Sequence, residues 1–150
     1  MRIASRQNSE KLETLCETRK VLIFNEDLED LSQLAKPFED QGFEVYKCMS
    51  VETAKRCVER EEFDFALVDQ GSRAFEGLRV VRHLVRYNRR TPFVVVTRCK
   101  DLLCCQQALS LGALDYFEKP IAKTEIDRII RNYLGASFNG RIEAEKYYGF

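Results

Sequence analysis

Five short apolar runs alternate with segments in which apolar residues recur every three or four positions. Val21-Leu22-Ile23-Phe24, Phe65-Ala66-Leu67-Val68 and Phe93-Val94-Val95-Val96 lack the alternation of a half-exposed strand. That is the pattern of parallel strands buried on both faces. Phe43-Glu44-Val45-Tyr46 alternates and reads as an edge strand, and Leu114-Asp115-Tyr116-Phe117 is a further candidate. Leu28, Leu31, Leu34, Ala35 and Phe38 keep helical spacing, with Gly42 where a C-cap glycine sits. Ser50 suits the N-cap of a second helix with Val51, Ala54, Cys57 and Val58 inward, and Leu78, Val81, Leu84 and Val85 mark a third that runs out near Asn88. Asp101 suits the N-cap of a fourth helix through Leu111, ended by Gly112. Thr124-Glu125-Ile126-Asp127 resembles a capping box, after which Ile126, Ile129, Ile130, Tyr133 and Leu134 give a fifth apolar stripe closed by Gly135.

The order is strand then helix, five times over. Such alternation predicts an α/β fold, a three-layer α/β/α arrangement around a five-stranded parallel sheet. The right-handed crossover rule leaves few topologies, and the flavodoxin-like order 2-1-3-4-5 fits best. Residues 20–135 form the predicted domain, 1–19 a polar extension in which Leu12, Leu15 and Cys16 make one weak stripe, and 136–150 a tail or the start of a linker.

Composition narrows the function classes. Lys+Arg and Asp+Glu both total 24, so the formal net charge is zero and no basic field for direct nucleic-acid binding exists. The N-terminus lacks the apolar core of a signal peptide and no run reaches membrane-spanning length, which makes the cytoplasm the expected location. Six cysteines include no CxxC pair and the only histidine is His83, so free thiols packed as small hydrophobes are expected rather than a zinc site. Cys99 is the thiol nearest the strand ends. His83, among Arg79, Arg82, Arg86, Arg89 and Arg90, reads as a solvated residue on a basic helix face.

The candidate chemistry lies where the strands stop. The first runs into Asn25-Glu26-Asp27, the third into Asp69, the fourth into Thr97, and the last is followed by Lys119-Pro120. In an open parallel sheet the ligand site lies outside these carboxyl ends, at the switch point between the first and third strands. A carboxylate can attack phosphorus and hold it as an aspartyl phosphate. The attack brings anions together, so Mg²⁺ on carboxylates such as Glu26 or Asp27 with Asp69, a Thr97 hydroxyl and a Lys119 ammonium each suit it. A haloacid-type phosphatase would need a second Asp where Gly71 stands, and a flavin phosphate would meet an acidic loop after the first strand.

In these residues, and in Gly77, Gly112-Ala113 and Tyr116, the chain resembles the receiver domain of two-component response regulators over about residues 20–135. The resemblance implies Asp69 as phosphoacceptor, Glu26, Asp69 and the Gly71 carbonyl as Mg²⁺ ligands, Asn25 as an outer-sphere group, and Thr97 with Tyr116 as a switch pair. It implies a histidine kinase or phosphotransfer protein as donor, and a downstream protein on the face formed by the fourth helix, fifth strand and fifth helix; a homodimer stays open. Beyond self-catalysed transfer to Asp69, no enzymatic activity is expected. The departures are Asn25-Glu26 where two Asp are usual, Arg73 in the loop after Asp69, and Arg98 after Thr97. Asn25 weakens the expected Mg²⁺ binding, and Asp27 is a candidate helper. Arg98 either compensates charge at the phosphoryl group or covers the site. Three functions follow as expectations: a phosphorylation switch, a pseudo-receiver that binds partners without phosphate, or the regulatory segment of a longer transcription factor or enzyme.

Overall fold

The computed structural model describes residues 18–135. The predicted extension up to residue 17 and the tail at 136–150 lie outside the described residues, as do Leu12, Leu15 and Cys16. Five strands, β1 (Lys20–Phe24), β2 (Glu44–Cys48), β3 (Phe65–Asp69), β4 (Phe93–Thr97) and β5 (Tyr116–Glu118), alternate with helices α1 (Leu28–Asp40), α2 (Val51–Arg60), α3 (Leu78–Tyr87), α4 (Leu102–Ser110) and α5 (Lys123–Ile130). A π-helical turn, Arg131–Gly135, extends α5. The sheet is parallel throughout and its order is β2-β1-β3-β4-β5.

The unbroken apolar strands divide their side chains between two cores because successive residues point to opposite faces. Leu22, Phe24, Ala66, Val68, Phe93 and Val95 pack with Val51, Ala54 and Val58 of α2, Val80, Val81 and Leu84 of α3, and Cys104 and Ala108 of α4. Val21, Ile23, Phe65, Leu67, Val94 and Val96 pack with Leu31, Leu34, Ala35 and Phe38 of α1 and Ile126, Ile129 and Ile130 of α5. The caps are those the sequence implies at three ends. Ser50 accepts from the Thr53 N–H at 3.1 Å, Asp101 from the Cys104 N–H at 3.0 Å, and Gly42 takes φ +92° just past α1.

Four local expectations change. β5 begins at Tyr116, not Leu114, because the Asp115 carboxylate turns back onto the Tyr116 N–H and Leu114 stays 44% exposed. The capping box at Thr124 does not form: Ala122 already takes the N-cap position and no side chain caps it, so Thr124 lies inside the helix. Leu28 is exposed at the first position of α1, while Asp30 takes the buried place in that turn. His83 is not simply solvated: its Nε2 lies 2.6 Å from Glu59 Oε2, and its ring packs beside Tyr87. The described cysteines are free, as expected. Burial pushes the Cys48 thiol strongly upward and that of Cys104 up to about 11, the behaviour of packed and unreactive thiols.

Candidate functional site

Parallel pairing brings the ends of β1, β3, β4 and β5 to one edge, and loop backbones fix the side chains there. The Gln70 N–H bonds to Val96 O at 2.7 Å and the Lys119 N–H to Thr97 O at 2.7 Å, so Asp69, Thr97 and Lys119 are set by backbone hydrogen bonds. Lys119 carries its ammonium inward: the side chain is 6% exposed and Nζ lies 2.6 Å from Asp69 Oδ1. The other Asp69 oxygen, Oδ2, accepts from the Gly71 N–H at 3.0 Å.

The same Nζ reaches a second carboxylate, Asp30 Oδ2, at 3.1 Å. Asp30 stands in the first turn of α1, where Asp27 caps the helix by accepting its N–H at 2.9 Å. Arg98, directly after Thr97, forks onto Asp30: Nε bonds to Oδ2 at 3.0 Å and Nη2 closes on Oδ1. Such a two-bond fork is the strong form of the Arg–carboxylate pair. The Arg98 bond, opposed by burial and aided by Lys119, holds the Asp30 carboxyl below its ordinary value. The four groups are thus one chain of charge, Arg98–Asp30–Lys119–Asp69, with two positive and two negative members. A shallow cavity of about 90 Å³ beside it is lined by Asp30, Arg98, Lys119, Leu34, Ile121 and Ile126, among others.

A buried amide organises the surroundings of Tyr116. Gln70 is fully buried. Its Nε2 donates to Ser72 O at 3.1 Å and to Cys99 O at 3.0 Å, and its Oε1 accepts from the Tyr116 hydroxyl. That hydroxyl also accepts the Asp101 N–H at 3.0 Å. Tyr116 is therefore half-buried and tied to the start of α4, and burial pushes its hydroxyl upward. Thr97 is fully buried, and its Oγ1 accepts from the Cys99 N–H at 2.8 Å.

The loop after Asp69 is closed tightly. Glu76 accepts from both the N–H and the hydroxyl of Ser72. Gly71 adopts φ +86°, and a Cβ there would meet Glu76 Oε1 at 2.3 Å. Phe75 holds φ +58° with its ring in the core, which pins the loop despite the unfavourable backbone.

Among the residues singled out by sequence, the structure brings Asp69, Thr97, Lys119 and Arg98 to one edge, and ties Tyr116 through Gln70 to the loops after Asp69 and Thr97. Asn25 is buried at the end of β1, with Oδ1 accepting the Asp27 N–H at 2.9 Å and Nδ2 lacking a partner among the described residues. Glu26 and Asp27 are exposed, and Glu26 makes no hydrogen bond or ion pair among the described residues. Sequence reasoning missed Asp30 and Gln70. Asp30 did carry a signal: it lies four residues before Leu34 and eight before Phe38, on the stripe that faces the sheet.

Beyond the exposed Glu26 and Asp27, the donor set is already engaged, and it does not assemble three side-chain ligands for a divalent cation as it stands. Asp69 is engaged by Lys119 and Gly71, Asp30 by Arg98 and Lys119, and Asn25 Oδ1 by Asp27. The orphaned Asn25 Nδ2 is a donor and repels a cation. No group of three metal-ligating side chains is assembled among the described residues.

The family model for the response regulator receiver domain matches residues 21–131. The photosynthetic apparatus regulatory protein RegA of Cereibacter sphaeroides is 30% identical over 108 residues, covering 72% of this chain and 59% of that protein. The regulatory protein AtoC of Escherichia coli is 25% identical over 115 residues, 77% of this chain but 25% of its own length. The chain therefore spans between about a quarter and two thirds of the length of the curated relatives it matches. Among solved structures, a CheY-like receiver domain protein from Methanospirillum hungatei superposes with a TM-score of 0.74 at 20% identity, covering 85% of this chain and 99% of that one. A Burkholderia pseudomallei response regulator, solved with a phosphorylated aspartic acid, calcium ion and citrate, gives 0.68 at 21% identity over 85% of this chain and 72% of its own. No helix among the described residues is long and apolar enough to cross a membrane.

Proposed function

This chain belongs to the response regulator receiver domain family, a family of signalling modules, and on that premise we propose that Asp69 is its phosphoacceptor. The observation that carries the reading is the 2.6 Å contact between the buried Lys119 ammonium and Asp69 Oδ1 at the end of β3. A carboxylate oxygen of Asp69 attacks phosphorus, a P–O bond forms, and the bond to the leaving group breaks with its electron pair staying on the leaving group. Lys119 neutralises charge that accumulates on the phosphoryl oxygens. Thr97 donates its hydroxyl to one of them after giving up the Cys99 N–H, and Tyr116 follows through Gln70.

The donor in this reading is a histidine kinase or phosphotransfer protein, in the cytoplasm. The output is altered binding of a protein, or of a second copy, on the α4–β5–α5 face. Support for that face comes from Leu102, Leu103 and Leu109 of α4 and Leu114 just before β5, which are exposed. Residues 20–135 constitute the switching unit. The family typically uses Mg²⁺ at this site, and the experiment treats the ion as a variable. A second reading, a pseudo-receiver, is favoured by a specific arrangement: Arg98 already neutralises Asp30 and Tyr116 is already held inward on Gln70. A third, the regulatory segment of a longer transcription regulator, is favoured by the 25% of AtoC that the chain covers.

Intact mass after incubation with acetyl phosphate, with Mg²⁺ and with EDTA, alongside Asp69→Ala, tests the proposal. Gain of one phosphoryl group that Asp69→Ala abolishes is the expected result. A folded protein that gains none in either condition sinks the phosphoacceptor reading and leaves the pseudo-receiver.

A further inference from the structure

The departure most specific to this chain is a pair, Asp30 with Arg98. Neither residue alone would be informative. A buried aspartate in the first turn of α1 adds a negative charge beside Asp69, and an arginine after Thr97 is the group that answers it. Arg98 is 66% exposed along its side chain while Asp30 is 9% exposed, so the guanidinium reaches in from the rim and lies over the carboxylate. Lys119 joins the pair to Asp69. Within this chain of two carboxylates and two cations the charges cancel without any metal ion. Lys119 and Arg98 hold the inward-facing carboxylates of Asp69 and Asp30, and leave only the exposed Glu26 and Asp27 at the rim.

We propose that Arg98 is the resident cation of this pocket: paired with Asp30 it occupies the electrostatic place of a divalent ion, excludes Mg²⁺ from the resting site, and turns to the phosphoryl oxygens when Asp69 is modified. The first half stands on the ion pairs alone, and the last rests on the reading of Asp69 as phosphoacceptor. A guanidinium can do this because it presents a planar fork of donors that suits carboxylate and phosphate oxygens alike. Asp30 is then the parking carboxylate. Its competition with the incoming phosphoryl group for Arg98 and Lys119 sets how readily the two cations change partner. The Asn25 amide fits the same scheme, since a neutral side chain at the end of β1 avoids adding a third charge that Arg98 and Lys119 could not balance.

The test separates the two halves. Isothermal titration with MgCl₂ on the unmodified wild-type protein is expected to show no binding in the low millimolar range. Arg98→Ala, which releases Asp30 beside Asp69, is expected to bind Mg²⁺ at least about tenfold more tightly, a modest share of the repulsion between a guanidinium and a divalent ion at an effective dielectric of about 20. Asp30→Asn with Arg98→Ala should lose that gain, and circular dichroism confirms that each variant is folded. Wild-type binding of Mg²⁺ that Arg98→Ala leaves unchanged overturns the proposal, as does no gain in a folded Arg98→Ala. Acetyl phosphate labelling then tests the partner exchange: wild type should label equally in Mg²⁺ and in EDTA, and Arg98→Ala should label only in Mg²⁺. Labelling of wild type that requires Mg²⁺ overturns the exchange. Absence of labelling in every protein, with the titration as expected, overturns the exchange and the phosphoacceptor reading together while the exclusion of Mg²⁺ stands.

Discussion

Gly77 sits where the chain returns from the loop after Asp69 to begin α3, and the two backbones touch. A Cβ built on Gly77 would lie 2.0 Å from the Asp69 carbonyl oxygen, 3.1 Å from its carbon and 3.2 Å from Val68 Cγ1. Carbon and carbonyl oxygen come no closer than about 3.3 Å even in weak C–H···O contacts, so Gly77→Ala creates an overlap of more than about 1 Å. No flexible side chain can yield, because the obstacle is backbone. On one side, Gln70 is held by its 2.7 Å bond to Val96 O; on the other, Gly77 bonds to Gln70 O at 3.0 Å and its carbonyl receives the Val81 N–H at 3.0 Å. Overpacking a tight site usually costs about 1–3 kcal/mol, and a backbone clash belongs at the upper end. The substituted residue has an ordinary helical φ of −68°, so alanine gains about 0.5–1 kcal/mol by restricting the unfolded chain. The net loss of about 2 kcal/mol corresponds to a fall in Tm of about 8 °C for a domain of this size. Thermal unfolding followed by far-UV circular dichroism measures it. Gly42→Ala is the control, since Gly42 has φ +92° but nothing within 4 Å of its Cβ, and it should lose about 1 kcal/mol from backbone strain alone. A Gly77→Ala protein that melts within about 2 °C of wild type, or no lower than Gly42→Ala, would refute the close-approach argument.

Two further outcomes follow from the side chains around the pocket. Asp30 has a folded pKa depressed below 3.8 chiefly by Arg98, so its pair stabilises the fold above that pH and the contribution is lost as pH falls through the lower folded value. Because Arg98 is largely exposed, Arg98→Ala should lower stability only slightly at neutral pH and make the acid limb of a Tm against pH curve shallower; an acid limb identical to wild type contradicts the pairing. Gln70→Leu strips the partners of Ser72 O, Cys99 O and the Tyr116 hydroxyl, and should cost about 1–3 kcal/mol. Hydrogen exchange at the Asp101 amide, which bonds to that hydroxyl, should quicken, and an unchanged rate would mean that Gln70 does not position Tyr116.

The sequence by itself determined the topology and the edge on which the chemistry lies. Unbroken apolar runs separated by amphipathic helices demand a parallel sheet covered on both faces, and strand ends at Asp69 and Thr97 then have to converge with Lys119. Caps at Ser50 and Asp101 were equally legible, because a helix terminus is satisfied by its own neighbours in sequence. The capping box at Thr124 was not, since its geometry depends on where the chain leaves Lys119-Pro120. The charge distribution within the site belongs to the tertiary structure alone. Asp30 and Arg98 are separated by 68 residues, Asp30 and Lys119 by 89, and Gln70 and Tyr116 by 46. The adjacent acidic residues Glu26 and Asp27 precede α1 and stand exposed, while Asp30 faces inward because it lies four and eight residues before Leu34 and Phe38, on the stripe of α1 that meets the sheet. A local pattern fixes which face a residue occupies; only the tertiary approach of Arg98, after β4, and Lys119, after β5, decides which charge Asp30 meets there.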